Sequence, residues 1–104
     1  MELQITHNQD AAISTIIGHF TYADHVHFSS VLALVEIETV SEIIIDIGKM
    51  EFIDSAGLGM LLMLLESCQD KKKRLTLLNP VGQVRKVFSV ARFDEIFTVE
   101  SSNL

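Results

Sequence analysis

Ser55 is the residue best placed to do chemistry. It stands in Ile53-Asp54-Ser55-Ala56-Gly57-Leu58-Gly59-Met60-Leu61-Leu62, where a hydroxyl meets the start of a Leu- and Met-rich run and small residues follow at once. That run reads as a helix from Ser55 to about Gln69. Two glycines in a first turn cost up to about 1 kcal/mol each relative to alanine. Bare backbone there lets another surface come close, either a partner or a packed neighbouring element. A helix N-terminus also offers unpaired N–H groups at the positive end of the dipole, which accommodate a phosphate well. Ser55 therefore has two readings. It is an N-cap contributing about 1 kcal/mol, or a phosphoacceptor whose modified form docks on its own helix end. Asp54 also has two: it holds the Ser55 hydroxyl or contacts a modifying enzyme, or it only places a negative charge at the helix start.

The other reactive residue types are scattered. His19, His25 and His27 crowd one region without the third or fourth ligand at metal spacing, and His7 is distant. His25 and His27 differ by two positions and cannot share a helix face. They are read as solvated or partner-facing, and no metal is expected. Cys68 has no adjacent acid–base partner and reads as an inert helical thiol. Asp46, at a strand end, is expected to accept from loop N–H groups. No Ser/His/Asp order or enzyme-type phosphate loop is present, so neither catalysis nor a cofactor is expected. Leu58, Leu61, Leu62 and Leu65 form the expected core stripe of the Ser55 helix. Met60, Met63 and Gly59 then lie toward its edge, where Met suits adaptable contacts, or the two Met fill core gaps.

The elements that must position Ser55 follow from periodicity. Leu3–His7 and Ala12–Ile17 read as an antiparallel hairpin joined by Asn8-Gln9-Asp10. After Gly18, His19 to Ala23 read as a loop containing Thr21 and Tyr22. Asp24 is placed to cap a helix running to about residue 38. Glu42–Ile47 reads as a strand buried on both faces, and Gly48–Ile53 leads away from it. Lys71-Lys72-Lys73 marks the end of the Ser55 helix. Arg74–Leu78 is a further buried strand. Asn79-Pro80 opens a helix with Val84, Val87 and Phe88 inward. Phe93–Val99 holds a last turn and a short edge strand, and the ends fray at Met1 and at Ser101–Leu104. The order is ββαβαβα(β): an α/β domain with a mixed, mostly parallel sheet of four to five strands and three to four helices.

The chain's 104 residues suit one domain with one core, so the expectation is a single domain over 1–104 with its core at about 3–99. Net charge is −6, which argues against nucleic acid and anionic membrane surfaces as partners. Residues 1–52 hold eight acids and only Lys49 as a base, so the acidity lies ahead of the signature. If part of it flanks Ser55, the protein attracts a basic partner and a phosphate would overload a negative face. A lone cysteine excludes an internal disulfide. The longest apolar stretch, Ala56–Leu65, has ten residues against the roughly 20 that a span requires. A cytoplasmic monomer is the expectation.

Phe52-Ile53-Asp54-Ser55-Ala56-Gly57-Leu58-Gly59 resembles the signature of the STAS domain, shared by sulphate transporters and bacterial anti-sigma-factor antagonists. That signature is an apolar pair followed by Asp-Ser-Ser/Thr-Gly-Leu-Gly. The element order, the length, the strand ending Ile44-Ile45-Asp46 and the helix opened by Asn79-Pro80 fit the same family. The resemblance implies a non-enzymatic switch. The unphosphorylated form binds an anti-sigma factor that is also a serine kinase, which frees a sigma factor. Phosphorylation of Ser55 ends binding, and a metal-dependent serine phosphatase restores it. Asp54, Ala56, Gly57, Gly59, Met60, Met63, Thr21, Tyr22 and Asp24 are the implied partner-binding residues. Two positions depart from the pattern. Ala56 stands at the second hydroxyl, which leaves Ser55 as the acceptor. Thr21 stands where relatives often have Asp, so nucleotide or metal binding by that loop is not implied. Ala56 and Thr21 also fit a non-switching STAS scaffold or regulatory subunit of a transport or signalling complex, with Ser55 only a cap.

Overall fold

The computed structural model describes residues 1–101. Its elements are β1 (Glu2–Asn8), β2 (Ala11–Phe20), a 3-10 turn (Tyr22–Asp24), α1 (His25–Leu34), β3 (Glu42–Asp46), β4 (Met50–Ile53), α2 (Ser55–Asp70), β5 (Arg74–Leu78), α3 (Gly82–Val90), α4 (Phe93–Ile96) and β6 (Thr98–Glu100). Among the described residues six strands form one sheet in the order β1-β2-β3-β5-β6, with β4 paired to β2. Of the described pairings, β1–β2 is antiparallel and the rest are parallel. The expected mixed, mostly parallel sheet is present, with one strand more than the sequence reading gave.

The added strand is β4. Its four residues are too few to establish a period, and it pairs with a part of β2 that reads as loop in sequence. Gly18 (φ +90°) interrupts the β-branched pattern, yet β2 continues through a register shift at Gly18/His19 and pairs Phe20 with Ile53. A glycine at positive φ absorbs that irregularity without strain.

Cross-strand register explains the burial. Ala12, Ser14 and Ile16 share a face with Ile43 and Ile45 and with Leu75 and Leu77, and all seven are buried. Their neighbours Ile13, Thr15, Ile44 and Asp46 on the other face are only partly buried. β3 is therefore not buried on both faces; its run of isoleucines hides an alternation. Phe28, Val31 and Leu34 of α1, Leu61 and Leu64 of α2, and Val84 and Phe88 of α3 join the buried sheet face in one core. Each such side chain contributes about 1.5–3 kcal/mol by leaving water.

α1 stops at Leu34, short of the expected residue 38, because Glu36 and Ile37 turn back onto the Ala33 and Leu34 carbonyls. Lys73 closes this turn by donating from Nζ to the Ile37 (2.7 Å) and Val40 carbonyls, so one cation of the Lys71–Lys73 run is structural. At Met1, where fraying is expected, the ammonium lies 2.9 Å from the Asp24 carboxylate. The frayed C-terminus expected at residues 101–104 lies, beyond Ser101, outside the described residues.

Candidate functional site

β4 delivers the chain to the start of α2, and Asp54 makes the turn. Its extended backbone (φ −103°, ψ −178°) precedes the first helical residue, and its Oδ1 accepts the Gly57 N–H at 2.8 Å. Leu58 N–H donates to the Asp54 carbonyl at 3.0 Å, the first helical bond. The N-cap is thus Asp54, not Ser55. Ser55 is the first residue of α2, exposed, and its hydroxyl makes no hydrogen bond among the described residues.

Two carboxylates clasp the loop beside it. Asp54 Oδ2 accepts the Tyr22 N–H at 3.4 Å, and Asp24 Oδ2 accepts the Thr21 N–H at 2.9 Å. Asp24 does not cap α1 with its side chain. Burial opposes its charge, but the Met1 ammonium, the Thr21 N–H and nearby His27 outweigh burial and hold the carboxyl below its ordinary range. Asp46 takes the role expected of it and accepts the Gly48 N–H at 3.0 Å.

The signature's two glycines do different work. A Cβ on Gly57 would stand 2.7 Å from both Ile53 Cγ1 and the Phe20 carbonyl oxygen, so Gly57 lets α2 pack onto the strand ends. A Cβ on Gly59 would meet nothing within 4 Å. Ser55, Gly59 and Met63 lie along the outward side of α2, while Gly57, Met60, Leu61, Leu64 and Cys68 face the core. The expected Leu stripe is offset: Leu62 is exposed and Met60 is buried, because packing follows Gly57 rather than the leucines.

Tyr22, His25, Phe28, Ala56, Met60 and Met63 converge on a shallow apolar groove of about 290 Å³ between α1 and α2. Tyr22 is 69% exposed and stacks on His25. Four residues assigned to partner contact from sequence thus share one groove beside Ser55. Thr21 is half-buried, Asp24 and Gly57 are buried, and the groove lining includes none of the three. His25, read from sequence as solvated or partner-facing, lines the groove, and so does Phe28, which sequence reasoning missed because it reads as one more buried residue of α1. His19 is apart, against Phe52. Among the described residues no group of three His, Cys, Asp or Glu could hold a metal ion, and no helix is long and apolar enough to cross a membrane.

The fold and site define a small α/β module that presents one unpaired serine at the exposed end of a helix. The STAS domain model matches residues 2–103, and the chain belongs to that family. A STAS-domain containing protein of Pseudomonas aeruginosa (strain UCBPP-PA14) is 29% identical over 84 residues, covering 81% of this chain and 82% of that protein. BtrV of Bordetella bronchiseptica, named as a candidate anti-sigma factor antagonist, is 32% identical over 60 residues, 58% of this chain and 52% of its own. The fold also matches the Bacillus anti-sigma factor antagonist SpoIIAA. Its unphosphorylated structure gives a TM-score of 0.76 at 19% identity, over 99% of this chain and 90% of that one. Its phosphorylated structure gives 0.77 at 19% identity, over 98% and 93%.

Proposed function

We propose that this protein is an anti-sigma factor antagonist switched by phosphorylation of Ser55. Unphosphorylated, it binds an anti-sigma factor of serine-kinase type through the Ser55 ridge and the Tyr22–Met63 groove, and a sigma factor is freed. Phosphate on Ser55 ends that binding, and a metal-dependent serine phosphatase reverses it. One observation carries the reading: Asp54 caps α2, so the exposed Ser55 hydroxyl has no structural duty. A phosphate there adds a charge of about −1.5 to −2 next to the Asp54 carboxylate and at the rim of an apolar groove. Likeness to a fold solved in both phosphorylation states supports the same reading.

Incubation with ATP and an extract of the source cell should label Ser55, read by mass spectrometry of the tryptic peptide. Equal labelling of Ser55→Ala would sink the site. Immobilised wild type should retain an ATP-binding kinase that Ser55→Asp releases. Recovery of transport components by both forms would favour the non-switching scaffold, the reading to which Ala56 and Thr21 lend weight.

A further inference from the structure

Among the described residues β4 has a partner strand on one side only, where Phe20 pairs with Ile53. On its other side the backbone of Ile53 meets a side chain. Ile53 N–H donates to Gln83 Oε1 at 3.1 Å, and Gln83 Nε2 donates to the Ile53 carbonyl at 3.1 Å. The carboxamide thus copies a strand neighbour, satisfying both backbone groups of a residue that is 1% exposed. α3 packs against β4 through this pair, and α3 itself starts without a side-chain cap. Gly82, just before Gln83, takes φ +57°, a left-handed conformation that glycine adopts without strain.

Ile53 is the last fixed point before Asp54 and Ser55. Its side chain is also the surface against which Gly57 packs. Phe20 backbone, Gln83 carboxamide and Gly57 therefore hold one residue from three sides, two positions from the hydroxyl. We propose that Gln83 is a positioning residue for Ser55: through its paired bonds to Ile53 it sets the strand end from which the serine is presented, and it ties that presentation to α3. The phosphoryl-transfer consequence rests on the function proposed above, whereas the positioning itself does not. A transferable phosphate needs the hydroxyl in line, and small displacements of a reacting group cost rate more than they cost binding.

Gln83→Met keeps the length of the side chain and removes both bonds. Amide exchange of the whole chain should then show the Ile53 and Gly57 N–H groups exchanging at least about tenfold faster, with Ile45 and Leu77 unchanged as reporters of global stability. Gln83→Glu keeps an acceptor for Ile53 N–H and should fall between the two. With extract kinase and ATP, Gln83→Met should lower kcat for Ser55 labelling about tenfold and leave KM unaltered. Wild-type exchange at Ile53 and Gly57 in Gln83→Met would overturn the positioning, as would faster exchange with unchanged kcat. Absence of labelling in the wild type would instead count against the phosphorylation reading, and the exchange rates would then decide the role of Gln83 alone.

Discussion

The Asp54 carboxylate accepts the Gly57 N–H at 2.8 Å, and that bond gives the cap of α2 to Asp54 rather than to Ser55. The two residues therefore divide structure from modification. Asp54→Ala should destabilise the domain by about 1 kcal/mol, the usual loss for an N-cap, with an upper range near 2 because Tyr22 N–H loses its acceptor too. Ser55→Ala should move stability by less than about 0.5 kcal/mol, as for an exposed side chain without partners. Urea unfolding of both variants checks this, and the opposite order would return the cap to the serine.

Alanine at the two signature glycines should act with opposite sign. At Gly57 the new methyl would meet Ile53 Cγ1 and the Phe20 carbonyl at 2.7 Å, and the latter is backbone that cannot give way cheaply. Destabilisation of about 1–3 kcal/mol follows from overpacking. At Gly59 the methyl enters open space in a helix, so stability should rise by up to about 1 kcal/mol. Thermal unfolding decides the signs. If the partner needs a flat α2, Gly59→Ala should bind less well despite being more stable, a separation that no folding defect can mimic.

Those glycines also mark where sequence reasoning reached and where it stopped. The helix over Ser55–Asp70 and the hairpin were legible from their periods, and β3 and β5 from short apolar runs, although the run hid which face of β3 is buried. The cap was not, since Asp and Ser are equally good N-caps and neighbours in sequence. β4 was illegible because its pairing partner lies beyond a glycine that reads as a stop. Tyr22, Ala56, Met60 and Met63 could be grouped from sequence, but the groove that they share depends on how α1 crosses α2. Gln83 left no signal, because a single amide reaching a strand edge belongs to no pattern.

Ser14 is fully buried in β2, and its Oγ has no partner among the described residues. It sits opposite Ile5 and beside Ile45 on the covered face. A buried hydroxyl left unpaired costs about 1–3 kcal/mol in desolvation. Ser14→Ala should therefore raise stability, by about 1 kcal/mol after the small loss of packing. A fall in the urea midpoint would mean that the hydroxyl is satisfied in solution.

Cys68 lies against the core on α2, and burial pushes its thiol up to about 11, with nearby Lys73 opposing only in part. Thiolate is the reactive form, so at pH 8 the folded protein should react with iodoacetamide far more slowly than the urea-unfolded chain. Alkylation should track global unfolding across a urea series. Fast modification below the unfolding transition would show that the C-terminal part of α2 opens on its own.

The acid limb of stability should report on Asp24. Its carboxyl is buried, yet the Met1 ammonium at 2.9 Å and the Thr21 N–H at 2.9 Å hold it below the ordinary range. A carboxyl depressed in the folded state binds its proton more readily when unfolded. Its stabilisation is complete above the ordinary value of about 3.9 and is lost as pH falls through the lower folded value. Facing charges are few: His27 adds attraction when protonated, and the Asp54 carboxylate lies across the same turn. Asp24→Asn should unfold at lower urea than wild type at pH 7 and lose less stability between pH 5 and 2. Because Asp24 also holds the Thr21 N–H beside the Ser55 groove, the variant should broaden the amide resonances of Thr21 and Tyr22 at neutral pH. Parallel stability–pH curves for the two proteins would mean that the ammonium–carboxylate pair contributes nothing net, and sharp loop resonances would place the order of that turn in Asp54 alone.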